Sequence, residues 1–264
     1  MINSNIKLIA TDLDGTFFYS SSAISDYNKD VFQFLMKNGI EIILATGRSL
    51  SGMKNYKDII ANNNDSIIFN GAAIIDNDGN FIYDKVIDSE ISKSIIDIYD
   101  KYDVYLHLYR RNMHIASEPD FYLKKYIEKE KVNNIAIGLE NIENFEFNKM
   151  VFIGDREELE RLQNDIRSNF NVHTCFSHTN FLEVLASGIN KGSALEWICS
   201  QKGIKRDEVI AFGDNYNDIE MIEYAGVGVA MENAEEELKR RADCICLTND
   251  EDGVGKFLKS YIGF

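Results

Sequence analysis

Two aspartates, Asp12 and Asp14, stand two residues apart at the end of a short apolar run and lead into Gly15-Thr16. A carboxylate ionised at neutral pH, with a reference pKa of about 3.9, can attack phosphorus as a nucleophile. A second carboxylate beside it can protonate the leaving oxygen and later deprotonate water. An anion approaching an anionic phosphate is opposed electrostatically, so such a pair calls for a divalent cation. Mg2+ prefers hard oxygen ligands and keeps several waters. Asp12, the backbone carbonyl of Asp14, and Asp214 can fill three of its octahedral positions, while Gly15 lets backbone amides approach a phosphate.

Other segments join this pair. Thr46 offers a hydroxyl and Gly47 an amide to a phosphate oxygen, although Thr-Gly after a strand also makes a simple turn. Lys191 is a point charge suited to holding both a phosphate and the Asp12 carboxylate. Asp214, Asn217 and Asp218 share one face once a helix begins. That suits one metal ligand with supporting hydrogen bonds, and the same residues also serve as a helix cap. Asn70-Gly71 is a further signal of this kind.

The elements that must position these residues are legible in the apolar pattern. Continuous apolar runs at Lys7–Thr11, Ile40–Ala45 and Ser66–Phe69 stop at Asp12, Thr46 and Asn70, with helical stretches near 26–38 and 49–62 between them. Ser25 or Asp26 offers the first helix its N-cap. The C-terminal third repeats the alternation, with helices near 191–202, 217–224, 234–241 and 251–262. Its strands are expected at Glu208–Phe212, Gly226–Ala230 and Asp243–Leu247. Nearly uninterrupted apolar strands alternating with helices predict an α/β fold, a doubly wound, mostly parallel, Rossmann-like core sheet covered on both faces. In such sheets ligands sit beyond the carboxyl ends of the strands, where these signals fall.

The middle of the chain reads differently. Hairpin signals at 73–83 and 104–116, helices near 89–101, 119–130 and 156–168, and strands at 148–153, 172–176 and 181–186 indicate an inserted α+β module. The core domain is therefore expected over 1–82 and 188–264, and the inserted module over 83–187.

With 264 residues, 28 basic and 43 acidic, the chain carries a formal charge of -15. It has no long-range attraction for nucleic acid or anionic membrane, so an anionic substrate must be drawn by a local positive site or a metal. No run approaches the ~18 apolar residues of a membrane span. The N-terminal segment reads as too short and acidic for a secretory signal, so a cytoplasmic location is expected. Cys175, Cys199, Cys244 and Cys246 form no CxxC pair and read as reduced structural thiols.

The set Asp12-Leu-Asp-Gly-Thr16, Ala45-Thr-Gly-Arg48, Lys191 and Gly213-Asp-x-x-Asn-Asp218 resembles the four-motif signature of the haloacid dehalogenase superfamily. The insertion between the second and third motifs is similar to that of its Cof-type, class IIB sugar-phosphate phosphatases. Asn70-Gly71-Ala72 and Met221 add to the likeness, which spans nearly the whole chain. The resemblance implies a Mg2+-dependent phosphatase of small phosphomonoesters, sugar phosphates or phosphorylated cofactors, working through an aspartyl-phosphate. It implies that Asp12 is the nucleophile and Asp14 the acid/base, and that Asp12, Asp14 and Asp214 hold the metal. It further implies that Leu13, Gly15, Thr46, Gly47, Lys191 and Asn217 bind phosphate, and that Asp218 and Asn215 support that shell. The second acid, absent from dehalogenases, favours phosphate chemistry over carbon–halogen cleavage. The expected partner is a small molecule, and the chain is expected to be a monomer or a weak homodimer.

By the same resemblance the inserted module is a cap. If Arg111-Asn112 make a two-residue turn, Tyr109 opposes His114 and Leu108 opposes Ile115. Period two then puts His107, Tyr109 and His114 on one face, and Leu106, Leu108 and Ile115 on the other, against the cap helices. The polar-aromatic face, with Arg110 and Glu183, is a candidate for choosing the leaving group; a plain solvent-exposed face is the alternative. Arg48 fits a surface salt bridge or a contact between core and cap equally well. Two competing activities stay open, a phosphosugar mutase and a phospho-aspartate signalling or binding module. The small number of cap arginines speaks against the first. Asp14, which would destroy the acyl phosphate such a module must keep, speaks against the second.

Overall fold

The structure, a computed structural model, describes residues 5–53, 56, 64–130 and 135–264. The strands in chain order are β1 (Leu8–Thr11), β2 (Glu41–Ala45), β3 (Ser66–Ile68), β4 (Ala73–Ile75), β5 (Phe81–Asp84), β6 (Val104–Arg110), β7 (Met113–Ala116), β8 (Ile135–Ile137), β9 (Lys149–Gly154), β10 (Val172–His178), β11 (Phe181–Ala186), β12 (Val209–Gly213), β13 (Val227–Met231) and β14 (Cys244–Cys246). Contacts divide the chain into two compact units. One comprises Met1–Gly47, Lys54–Ile82 and Asn190–Phe264, the other Arg48–Met53 and Tyr83–Ile189. Arg48–Met53, placed in the core by the sequence, thus groups with the second unit. Of the helical stretch expected at 49–62, Leu50–Met53 is a helix; most of the remainder lies outside the described residues.

Among the described residues one sheet follows the order β14-β13-β12-β1-β2-β3-β4-β5, of which β14 through β4 lie in the first unit. β14 through β3 pair in parallel and β4 turns antiparallel to β3. Leu8, Ile9 and Ala10 of β1 are fully buried between neighbours on both sides, which is why that strand is continuously apolar. The chain winds from β1 outward through β2 and β3, then returns to the other side as β12, β13 and β14. The winding direction therefore reverses at β1, and the carboxyl ends of β1 and β12 mark the switch point where such sheets place ligands.

The helices are anchored locally. Ser25 caps the helix Asp26–Lys37 by accepting from the Asn28 amide. Asn190 and Ser193 form a reciprocal capping box at the start of the helix Lys191–Lys202, which presents Lys191 in its first turn.

The second unit carries a sheet of order β10-β11-β9-β6-β7-β8. Tyr109 pairs with His114 and Leu108 with Ile115, as the period-two reading requires. Leu106, Leu108 and Ile115 join Phe152, Leu182 and Val184 in a core completed by Ile95 and by Leu159, Leu162 and Ile166 of the helices Ser89–Tyr99 and Arg156–Asn169. β8, parallel to β7, has no counterpart in the sequence reading: three residues are too few to show alternation.

Candidate active site

Asp12 follows β1 directly, its amide donating to the Phe212 carbonyl of β12 at 3.0 Å. The next residues, Leu13–Phe17, coil into one irregular turn that Gly15 makes workable. Gly15 has φ +84°, and a Cβ there would stand 2.3 Å from Asp214 Oδ2. Only glycine satisfies both the left-handed backbone and that close approach. Leu13 is buried and accepts the Phe18 amide at 2.8 Å, closing the turn. Thr16, also buried, donates its hydroxyl to Asp214 Oδ1 at 2.8 Å.

Lys191, 0% exposed, bridges Asp12 Oδ1 at 2.5 Å and Asp218 Oδ1 at 2.6 Å. The other oxygen of Asp218 accepts the backbone amides of Asp214 and Asn215 at 3.0 and 3.1 Å. The Asn215 side chain accepts the Tyr216 amide and caps the short turn Tyr216–Asp218. Asn217 donates its amide to Asn70 Oδ1 at 2.9 Å, and the Asn70 amide donates to the Thr46 carbonyl at 3.0 Å. Asp14 is exposed, with its charge acting on Asp12.

Oxygens of Asp12, Asp214 and Asp218 lie within 4.8 Å of one another. Asp12 and Asp214, both expected at the metal, are in this set, and the Asp218 carboxylate, expected to support them, converges with them. Burial, followed by the charges of Asp218 and Asp14, pushes the Asp12 carboxyl up to about 7 against the pull of Lys191. Burial, followed by the charges of Asp12 and Asp218, holds Asp214 well above the usual carboxylate range. Burial alone would lower Lys191, but Asp12 and Asp218 outweigh it and keep the ammonium protonated. With all three ionised, the carboxylates against one ammonium leave two negative charges, and this crowding adds to burial in raising Asp12 and Asp214 while no cation is bound. That excess, made of hard oxygen donors, fits a divalent cation such as Mg2+.

The sequence reading did not single out Asn233 and Asn249. Asn233 donates to the Gly15 carbonyl at 2.8 Å and accepts the Asn249 amide at 3.0 Å; Asn249 donates to the Phe18 carbonyl at 2.8 Å. Both reach the turn after Asp12 from more than 200 residues away, a separation at which sequence carries no local signal.

The second unit brings most of its predicted face together. His107 and His114 lie with ring centroids 5.0 Å apart, and Tyr109 stacks on His114 at 4.3 Å. Lys149 pairs with Glu183 at 2.9 Å and stands 5.3 Å over the Tyr109 ring. His107 Nε2 meets Asp120 Oδ2 at 2.8 Å. These side chains are buried rather than exposed to solvent. Burial, then His107 and Lys149, lowers His114 to about 3. Arg110 departs from this group. Its even position shares the side of Leu106 and Leu108, and its guanidinium is held by both Asp84 oxygens at 2.8 and 2.9 Å. Arg48 donates to the Gly52 carbonyl at 3.5 Å. Cys246 Sγ rests 3.3 Å from Met231 Sδ.

An aspartate at the switch point of a doubly wound sheet, paired to a buried lysine and crowded by further carboxylates, is an arrangement suited to phosphoryl transfer. The family model of the haloacid dehalogenase-like hydrolases matches residues 9–258, and the chain belongs to that family. It is 31% identical, over 98% of its length and 96% of the other's, to a 5-amino-6-(5-phospho-D-ribitylamino)uracil phosphatase of Bacillus subtilis. A haloacid dehalogenase-like hydrolase from Bacteroides thetaiotaomicron superposes with a TM-score of 0.84 at 31% identity, covering 97% of this chain and 99% of that one. A subclass IIB sugar phosphatase of the superfamily superposes at 0.85 with 26% identity, covering 97% and 98%. The protein is accordingly a phosphoric monoester hydrolase acting on small phosphate substrates. No helix among the described residues is long and apolar enough to cross a membrane.

Proposed function

We propose that the protein is a Mg2+-dependent phosphomonoesterase of sugar phosphates or phosphorylated cofactors that works through an aspartyl-phosphate on Asp12. The observation that carries this reading is the Asp12–Lys191 pair at 2.5 Å beside Asp214 and Asp218. An Asp12 carboxylate oxygen attacks phosphorus, the bond from phosphorus to the leaving oxygen breaks, and Asp14 gives that oxygen its proton. Asp14, now a carboxylate, takes a proton from water; the water oxygen attacks phosphorus, and the bond to Asp12 breaks to release orthophosphate. Lys191 keeps Asp12 oriented and carries positive charge toward the phosphate. Asp12, Asp214 and the Asp14 carbonyl would hold Mg2+, with Asp218 supporting them. When bound, the ion neutralises phosphate charge and orients the group for in-line attack.

His107, Tyr109, His114 and Glu183 are the residues proposed to choose the leaving group. Their support is the shared, buried, hydrogen-bonding face of the second unit's sheet. The test is orthophosphate release from a panel of sugar phosphates, nucleotides, pyridoxal phosphate and 5-amino-6-(5-phospho-D-ribitylamino)uracil, beside Asp12→Asn. Release that disappears with EDTA and in D12N is the expected result. No release by a folded, Mg2+-loaded protein would overturn it.

A further inference from the structure

Three consecutive residues in the turn after β3 have left-handed backbones: Phe69 at φ 52°, Asn70 at 53° and Gly71 at 101°. Non-glycine residues hold that conformation only where their surroundings over-determine it, and such strain gathers at functional sites. Asn tolerates it best; a buried Phe does not.

The surroundings here are the phosphate-binding segments themselves. The Asn70 amide donates to the Thr46 carbonyl at 3.0 Å. Its Oδ1 accepts the Asn217 amide nitrogen at 2.9 Å. A Cβ on Gly47 would come within 3.1 Å of the Asn70 carboxamide, so that side chain packs flush on the Thr46–Gly47 loop. A Cβ on Gly71 would stand 2.1 Å from the Asn190 carbonyl, which seats the turn against the residue preceding Lys191. One N–H of the Asn217 carboxamide is thus committed to Asn70, and the second can serve an anion.

We infer that Asn70 is a positioning residue of the phosphate site. It fixes the Asn217 carboxamide in one arrangement beside the Thr46–Gly47 loop, so that an arriving phosphate meets a donor already set. This rests on the phosphatase reading above, but its test does not require turnover.

The test is the affinity for orthophosphate, in Mg2+, of wild type, Asn70→Gly, Asn217→Ala and the double variant, by calorimetry. Glycine keeps the left-handed backbone that alanine would strain, and the Trp197 fluorescence transition in urea verifies that each variant is folded. N70G and N217A are each expected to weaken binding about tenfold, and the pair together also about tenfold, because both act through one donor. Wild-type affinity in N70G, or a pair weakened about a hundredfold as the product of two independent losses, would overturn the inference. Turnover by the wild-type enzyme judges the phosphatase reading; the ratios between variants in orthophosphate binding judge Asn70.

Discussion

Replacing Lys191 by methionine keeps most of the side chain's volume and removes the ammonium that Asp12 and Asp218 share. Removing one member of a buried ion pair costs about 3–5 kcal/mol, because the partner charge stays buried without compensation. The loss depends on pH in a direction that Asp12 sets. A carboxyl raised in the folded state to about 7 holds a proton that the unfolded chain releases near 3.8, so its contribution is full below 3.8 and is lost as pH rises toward 7. Without Lys191 the folded value of Asp12 climbs further, so this group goes on costing the variant stability at pH values where it has stopped doing so in wild type. The deficit of K191M should therefore grow by about 1.4 kcal/mol per pH unit above 7. Urea unfolding in EDTA at pH 7 and 8.5 measures this. Trp197 is the chain's one tryptophan and lies on the helix that begins with Lys191, so its fluorescence reports the unit holding the site. A loss below about 1 kcal/mol, or the same loss at both pH values, would refute the electrostatic reasoning.

His114 titrates at about 3 when folded and near 6.5 when unfolded, so wild type loses stability as pH falls from 6.5 toward 3. H114F should lose about 3 kcal/mol less than wild type between pH 7 and pH 4, as measured by urea midpoints; equal losses would contradict its neutral burial. Gly15→Ala adds about 1–2 kcal/mol of left-handed strain and drives a methyl into Asp214. Its turnover should fall at least about a hundredfold, and near-normal rates would show that the turn can move. H107A and H114A should reorder the substrate panel while hydrolysis of a small aryl phosphate stays within about threefold. An unchanged order would remove these residues from leaving-group choice.

Much of this protein is written locally. The strand at Leu8–Thr11 follows from an unbroken apolar run, and the helix at Lys191–Lys202, expected near 191–202, is held at its start by the Asn190–Ser193 capping box, each a feature contained within a dozen residues. The hairpin β6–β7 is equally legible, because alternation and a two-residue turn dictate its register. Asp12, Lys191 and Asp214 are recognisable because their residue types stop strands or start a helix at one end of a doubly wound sheet.

Tertiary structure alone decided how these residues act on one another. Asp218 accepts the Asp214 amide, and the side-chain-free Gly213, where a Cβ would lie 2.4 Å from that of Asp218, gives it room to meet Lys191 as well, a contact no local pattern announces. Arg110 was separated from the histidines by the pleat and held by Asp84, a partner 26 residues away. The clamps of Asn233 and Asn249 on the turn after Asp12, and of Asn70 on Asn217, join segments 147 to 231 residues apart. Propensity and periodicity act over a few residues. Contacts across such distances exist only once the sheet has brought its strand ends together, so the chemistry was legible in the sequence and its geometry was not.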